Sequence, residues 1–169
     1  MTGTKTTTTA ARSSDRAAYY DSPIGRVEIV SDGEAITRIA FADDRAEQDI
    51  PGAAGDPLLA LAVRELDAYF REGSRTFSMP LRVEGTAFQR TVLSQVRAVP
   101  FGETASYRDI AVRSGSAGAV RAVGSANARN RLMIVIPCHR IVGSNGAPTG
   151  YAGGLWRKEW LLRHERSHR

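Results

Sequence analysis

The sequence predicts a mixed α/β (α+β) chain of two small domains, the first a strand-and-helix unit and the second mostly helical. Three observations carry that expectation. The charge changes sign along the chain: residues 1–85 hold 10 Lys/Arg against 14 Asp/Glu, a net −4, and residues 86–169 hold 13 against 4, a net +9. The acidic part shows alternating apolar residues followed by one amphipathic helical stretch. The basic part is a series of short helical segments with recognisable start and stop signals. With 169 residues, 42% of them hydrophobic, the chain can bury a real core in one ordinary domain or two small ones. The boundary is expected near residue 85, giving domains over 17–85 and 86–169.

Residues 1–16 are Thr/Ser-rich and nearly devoid of large apolar groups, with Thr6-Thr7-Thr8-Thr9 at their centre. Such a segment buries too little to offset its ordering entropy, so a disordered tail is expected. From Ala18 to Phe41 the pattern is strand-like, with turns at Asp21-Ser22-Pro23-Ile24-Gly25 and at Asp32-Gly33. Asp56 reads as an N-cap with Pro57 in the first helical position. Leu58, Leu59, Ala62, Leu66, Tyr69 and Phe70 then recur at helical spacing, and Gly73 closes the helix. Phe77, Met79 and Leu81 alternate as a short strand. Nothing in this half points to catalysis.

Thr86-x-x-Gln89 has the form of a capping box, opening a helix that turns Phe88, Val92, Val96 and Val99 inward until Pro100-Phe101-Gly102 ends it. Ser106 caps a short helix with Tyr107, Ile110 and Ala111 on one face. Ser114-Gly115-Ser116-Ala117-Gly118 interrupts it, and a second helix runs from about Ala119 to Ala128 with Val120, Val123 and Asn127 on one side. This is the outline of a helix-turn-helix. The outer face of the second helix is unusual, because Arg121 stands among Gly118, Gly124, Ser125 and Ala128. Tiny side chains let a helix axis approach a surface closely, and a single projecting arginine fits a narrow groove or a gap in a base stack. A helix reading the major groove would carry several long polar side chains. A close helix–helix contact also uses small residues, but it would bury an unpaired arginine. The basic half is thus the candidate for a polyanion partner, with a merely solubilising charge as the plain alternative.

No segment reaches the roughly 18 apolar residues of a membrane span, and the N-terminus has no apolar signal region. A cytoplasmic location without membrane partners is expected. Cys138 is the single cysteine, so an internal disulfide and a cysteine-rich zinc site are excluded. It follows the apolar run Leu132–Ile136, read as a strand that Pro137 stops, and precedes His139 and Arg140. Both of these neighbours are of a kind that lowers a thiol pKa. A glycine-rich stretch follows, and then a last helix from about Gly154 containing Leu155, Trp156, Trp160, Leu161 and Leu162. Glu165 lies three and four residues after the two leucines and therefore projects inward. Cys138, His139 and Glu165 can form a chain of thiol, base and orienting carboxylate. The plain readings are a structural buried cysteine and a solvated glutamate at a helix end.

Together these residues resemble the O⁶-alkylguanine-DNA alkyltransferases (methylated-DNA–protein-cysteine methyltransferases). The specific motifs are Pro137-Cys138-His139-Arg140 followed by Gly150-Tyr151-Ala152-Gly153-Gly154-Leu155, Gly102-Glu103-Thr104-x-Ser106-Tyr107, and Arg121-Ala122-Val123-Gly124. The resemblance implies a ribonuclease-H-like α/β fold for the first domain and a winged-helix-like helix-turn-helix in the second. It implies direct reversal of DNA damage, in which Cys138 takes an alkyl group from O⁶-alkylguanine, and also from O⁴-alkylthymine, once per molecule. His139 and Glu165 would act on the thiol through a water, Asn130 would brace the site, and Tyr107 would donate to N3 of the extruded guanine. The carbonyls of Cys138 and Ile141 would accept from its exocyclic amine. The N–H of Ala152 would face O⁶ beside Tyr151, and Met133 would shape the alkyl pocket. Arg121 would fill the gap in the duplex, with Arg108, Ala122, Gly124 and Ser125 against the DNA.

The sequence departs from the family pattern at several points, among them Leu93, where a tryptophan is common. Arg131 replaces the usual proline after Asn130 and is expected to add charge near the pocket. Ala152 stands where some members have serine. The zinc-binding cysteines of some relatives are missing, so no metal and no cofactor is implied. The expected partner is double-stranded DNA with alkylated bases, bound by a monomer, and cooperative assembly along DNA stays open. The alternatives are a non-enzymatic helix-turn-helix protein that binds DNA or lesions, and a thiol hydrolase.

Overall fold

The structure is a computed structural model that describes residue 12 and residues 14–43 and 55–169. Strands β1 (Arg16–Ser22), β2 (Gly25–Ser31) and β3 (Ile36–Phe41) form an antiparallel sheet in that order. Most of the expected tail lies outside the described residues. Arg16, its last member, pairs with Ser31 and belongs to β1. The first hairpin closes across Ser22 and Gly25, where Gly25 has φ 117° and Ser22 Oγ accepts from the N–H of Ile24. At the second turn Asp32 Oδ1 accepts from the N–H groups of Glu34 and Ala35, which takes the place of a tighter backbone turn.

Helix α1 (Pro57–Glu72) starts at Asp56, whose side chain accepts from the N–H groups of Leu58 and Leu59, and ends at Gly73 with φ 66°. Its buried stripe is Leu59, Ala62, Leu66, Tyr69 and Phe70, and it packs on the sheet. The strand expected over Phe77–Leu81 does not form. Only Leu81 makes a bridge, parallel to Ile36. Glu65 accepts the N–H groups of Ser78 and Met79, and Pro80 has none to give, so the segment lacks the donors of a ladder.

Helix α2 (Ala87–Arg97) opens with the Thr86/Gln89 capping box, and Val92 and Val96 are buried while Phe88 is half-buried. A second capping box, Ser106 with Asp109, follows the two-residue strand β4 (Ala105–Ser106) and starts helix α3 (Tyr107–Arg113). Helix α4 (Val120–Ala128) packs against α2 and α3. Val120 is exposed, contrary to the inward position expected of it, and Ala126 joins Val123 and Asn127 in the core. Strand β5 (Ile141–Val142) pairs parallel with β4, so the wing of a winged helix has no hairpin counterpart in this pair. Helix α5 (Leu155–Ser167) closes the chain; its first residues, Leu155 and Trp156, are exposed rather than buried.

The apolar run Leu132–Ile136 is buried but is not a strand. It bridges Ile39 once, through Leu132, and then turns with Ile134 in the left-handed region at φ 73°. A β-branched residue there is strained and is held only by its surroundings. Asn130 supplies part of that hold: its Oδ1 accepts from Leu132 N–H and its Nδ2 donates to the carbonyl of Ile136. One hydrophobic core runs from the sheet through this turn to α2 and α5.

Candidate active site

Cys138 begins a single 3₁₀ turn, Cys138–Arg140, placed directly after the buried turn by Pro137. Its side chain reaches a cavity of about 310 Å³ that Tyr107, Gly124, Asn127, Asn130, Met133, Tyr151 and Ala152 also line. Burial pushes the thiol pKa up, while the Asn130 amide and the charge of Lys158 pull it down without cancelling that effect. At rest Cys138 is therefore a neutral thiol.

Behind the cysteine lies a buried carboxylate with a full set of donors. Glu165 Oε1 accepts from Tyr69 OH at 2.7 Å, His139 Nε2 at 2.7 Å and Arg140 Nη2 at 2.9 Å. Oε2 accepts from Arg140 Nε at 2.9 Å and Gly102 N–H at 3.1 Å. Burial raises the carboxyl pKa, but His139 and Arg140 outweigh it and hold the group well below the usual carboxylate range. Burial lowers the pKa of His139 against the opposing pull of Glu165, so the ring is neutral. An ionised Glu165 can only accept, which puts the imidazole proton on Nε2 and the free lone pair on Nδ1. Nδ1 is buried and has no protein partner, and no direct hydrogen bond joins it to the Cys138 thiol.

The expected site residues fall into three groups. Cys138, Asn130, Tyr107, Tyr151, Ala152 and Met133 surround one cavity. His139 and Glu165 lie behind it, fully buried. Ile141 is also buried outside the cavity lining, and its carbonyl accepts from Lys158 Nζ. The Cys138 carbonyl accepts from Asn127 Nδ2 and from Ile141 N–H, and Tyr107 OH donates to the carbonyl of Thr149. These partners occupy the groups that the resemblance assigns to a base. Arg121, Arg108, Ala122 and Ser125 are exposed, and half-buried Gly124 carries the small face of α4 to the cavity rim. Arg131 does not reach the cavity lining; it pairs with Glu84 at 3.3 Å.

Several site groups escaped the sequence reading. Arg140 does not act on the thiol as its position suggested, because its guanidinium is committed to Glu165 and to the Val99 carbonyl. The cation that does face Cys138 is Lys158, whose Nζ donates to the carbonyls of Ile141, Thr149 and Gly150 at 2.5, 2.8 and 3.1 Å. Burial lowers the Lys158 pKa to about 8. Tyr69 comes from the half in which no site residue was expected.

Comparison with known proteins finds matches over most of the chain. Residues 16–83 match the ribonuclease-like domain of 6-O-methylguanine DNA methyltransferases, and residues 87–167 match their DNA-binding domain. The chain belongs to the 6-O-methylguanine DNA methyltransferase family. The methylated-DNA–protein-cysteine methyltransferase of Methanosarcina acetivorans is 40% identical over 152 residues, covering 89% of this chain and 97% of that protein. Its counterpart in Mycolicibacterium paratuberculosis is 42% identical over 149 residues, covering 88% and 90%. The crystal structure of the Mycobacterium tuberculosis O⁶-methylguanine methyltransferase superposes with a TM-score of 0.84 at 37% identity, covering 92% of this chain and 94% of that one. A second structure of the M. tuberculosis protein, in complex with DNA, gives 0.82 at 38% identity over 91% and 93%. This methyltransferase fold has an N-terminal sheet domain and a C-terminal helical domain.

Proposed function

We propose that this methyltransferase repairs DNA by taking the alkyl group of O⁶-alkylguanine onto Cys138, once per molecule. The observation that carries the reading is the neutral Cys138 thiol at a cavity, backed by a neutral His139 whose Nδ1 has no protein partner. The thiol proton passes to Nδ1 through one intervening water, and Glu165 stabilises the imidazolium through Nε2. Sulfur attacks the alkyl carbon in line, the carbon–O⁶ bond breaks and its electron pair stays on the purine. Tyr107 and the Ala152 N–H offset the charge that develops there. For Tyr107 this requires exchanging its bond to Thr149 for one to N3.

The lesion lies within a stack, so the nucleotide is flipped out, at a cost of a few kcal/mol. Arg121, exposed on the small-residue face of α4, takes the vacated place from the minor groove, where sequence is poorly read. Arg108, Ala122 and Ser125 contact the backbone beside it. O⁴-alkylthymine is a second substrate, the working unit is a monomer in the cytoplasm, and residues 17–85 and 86–169 are its domains. Intact mass after mixing with a duplex carrying one O⁶-methylguanine tests the reading. The expected result is one added methylene on Cys138, stoichiometric with protein and abolished by Cys138→Ser. Unmodified protein beside an untouched, bound lesion would point to a lesion binder instead.

A further inference from the structure

Tyr69 belongs to α1, in the first domain, yet it holds two successive residues of α5. Its hydroxyl donates to Glu165 Oε1 at 2.7 Å, and its backbone carbonyl accepts from His164 Nε2 at 2.8 Å. The ring is fully buried and packs edge-on against Phe70 and Phe101, with Phe77 and His164 also beside it. Four aromatic or imidazole rings pack around the phenol and place its oxygen 2.7 Å from the carboxylate. A hydroxyl in a core is tolerated only when it is hydrogen-bonded, and phenylalanine would satisfy the same packing without that demand. The hydroxyl is therefore an addition to the core with an electrostatic consequence.

We infer that Tyr69 is a positioning residue for alkyl transfer, through which the first domain sets the basicity of His139. Oε1 is shared among Tyr69 OH, His139 Nε2 and Arg140 Nη2. Each donor draws charge from the same oxygen, so the phenol weakens the hold of Glu165 on the imidazolium and keeps His139 neutral at lower pH. The charged and titratable groups around this pair are Arg140 beside both, Lys158 on α5 facing His139, and His164 and Tyr151 facing Glu165. All of them stay in the chain when Tyr69 is replaced by Phe, so a difference between the parent and that variant reports the loss of the phenol oxygen from Oε1.

The inference rests on the proposed alkyl transfer, and two measurements separate the fates of the two. The first needs no DNA: the pKa of His139 is read by NMR of the ¹⁵N-labelled imidazole in the parent and in Tyr69→Phe. The second is the single-turnover rate of alkyl transfer against pH. In Tyr69→Phe the His139 pKa and the acidic limb of the rate are expected to move up together by about half to one pH unit. Site-specific 3,5-difluorotyrosine at position 69, a stronger donor that keeps the fold, should move both the other way. A lower rate at every pH with unmoved limb and unmoved imidazole pKa would leave Tyr69 a packing residue and overturn the inference. A parent protein that takes no alkyl group would overturn the proposed function, while the imidazole shift would still decide the link between Tyr69 and His139.

Discussion

Replacing Glu165 by Gln keeps the shape of the buried side chain and removes its charge. The consequence can be worked out from the five donors that the carboxylate accepts. If the amide oxygen takes the place of Oε1, the Tyr69, His139 and Arg140 Nη2 bonds survive. The new NH₂ then faces Arg140 Nε–H and Gly102 N–H, donor against donor. The opposite orientation turns the NH₂ toward three donors and is worse. Arg140 keeps the Val99 carbonyl and the amide oxygen as acceptors, loses the partner of its Nε–H, and becomes a buried guanidinium without a counter-charge. Breaking a buried pair on one side costs about 3–5 kcal/mol. For a chain of this size that corresponds to a fall in melting temperature of about 6–20 °C.

The pH dependence supplies a second reading from the same samples. The folded carboxyl titrates below its ordinary 4.5, so the stability it contributes is full above that value and is lost as the pH falls below it. His139 and His164, both pushed below their ordinary 6.5 by burial, add a loss that begins as the pH drops through 6.5. Melts of parent and Glu165→Gln from pH 8 to 3 should therefore converge as the pH falls below about 4. Melting temperatures within about 2 °C of each other at neutral pH would refute the whole account of the carboxylate as a saturated, ionised centre.

Two further outcomes follow from the site. Lys158→Met removes the cation facing Cys138, so the thiol should react with iodoacetamide several-fold more slowly at pH 8, with its profile displaced to higher pH. Because the Lys158 pKa is lowered from 10.5 to about 8, that residue makes the parent gain stability as the pH rises between those values, and the gain should vanish in the variant. Arg121→Ala should slow repair in duplex DNA much more than in single strands, since only the duplex has a gap to fill; equal losses in both would remove the wedge role.

What was legible in the sequence was local. The Asp56 cap, the Gly73 stop, the Thr86/Gln89 capping box and the Ser106 cap are contacts between residues at most five apart, so the helices they bound can be read from neighbours alone. Glu165 was legible because two leucines on its own helix fix which way it points. The Leu132–Ile136 run was not, because a buried strand and a buried turn have the same apolar composition. What decides between them is Asn130, whose two side-chain bonds saturate the backbone of the run. Phe77–Leu81 misled for a related reason: its alternation is real, but Glu65, more than a turn of helix away in sequence, takes its donors. Tyr69 and Lys158 show the limit most clearly. Tyr69 lies 96 residues from Glu165, and nothing near either residue announces the other.

These long-range groups explain how a reactive cysteine can be stored. A thiolate exposed to water would be consumed by any oxidant or stray electrophile, and under the proposed single turnover the protein has no second copy of its nucleophile. Burial solves this by raising the thiol pKa, and by itself it would also stop the reaction. The remedy in this site is to keep the opposing groups close but neutral or committed. His139 is uncharged with a free lone pair, Arg140 is tied to Glu165, and Lys158 is tied to three carbonyls. In the proposed transfer, the ion pair of sulfur and imidazole would form only when a leaving group is present to take up negative charge in turn. On that view Tyr69 and Arg140 do more than stiffen the fold. By spreading the charge of Glu165 over five donors they would oppose protonation of His139, and on the proposed function that keeps the cysteine quiet until an alkylated base enters the cavity.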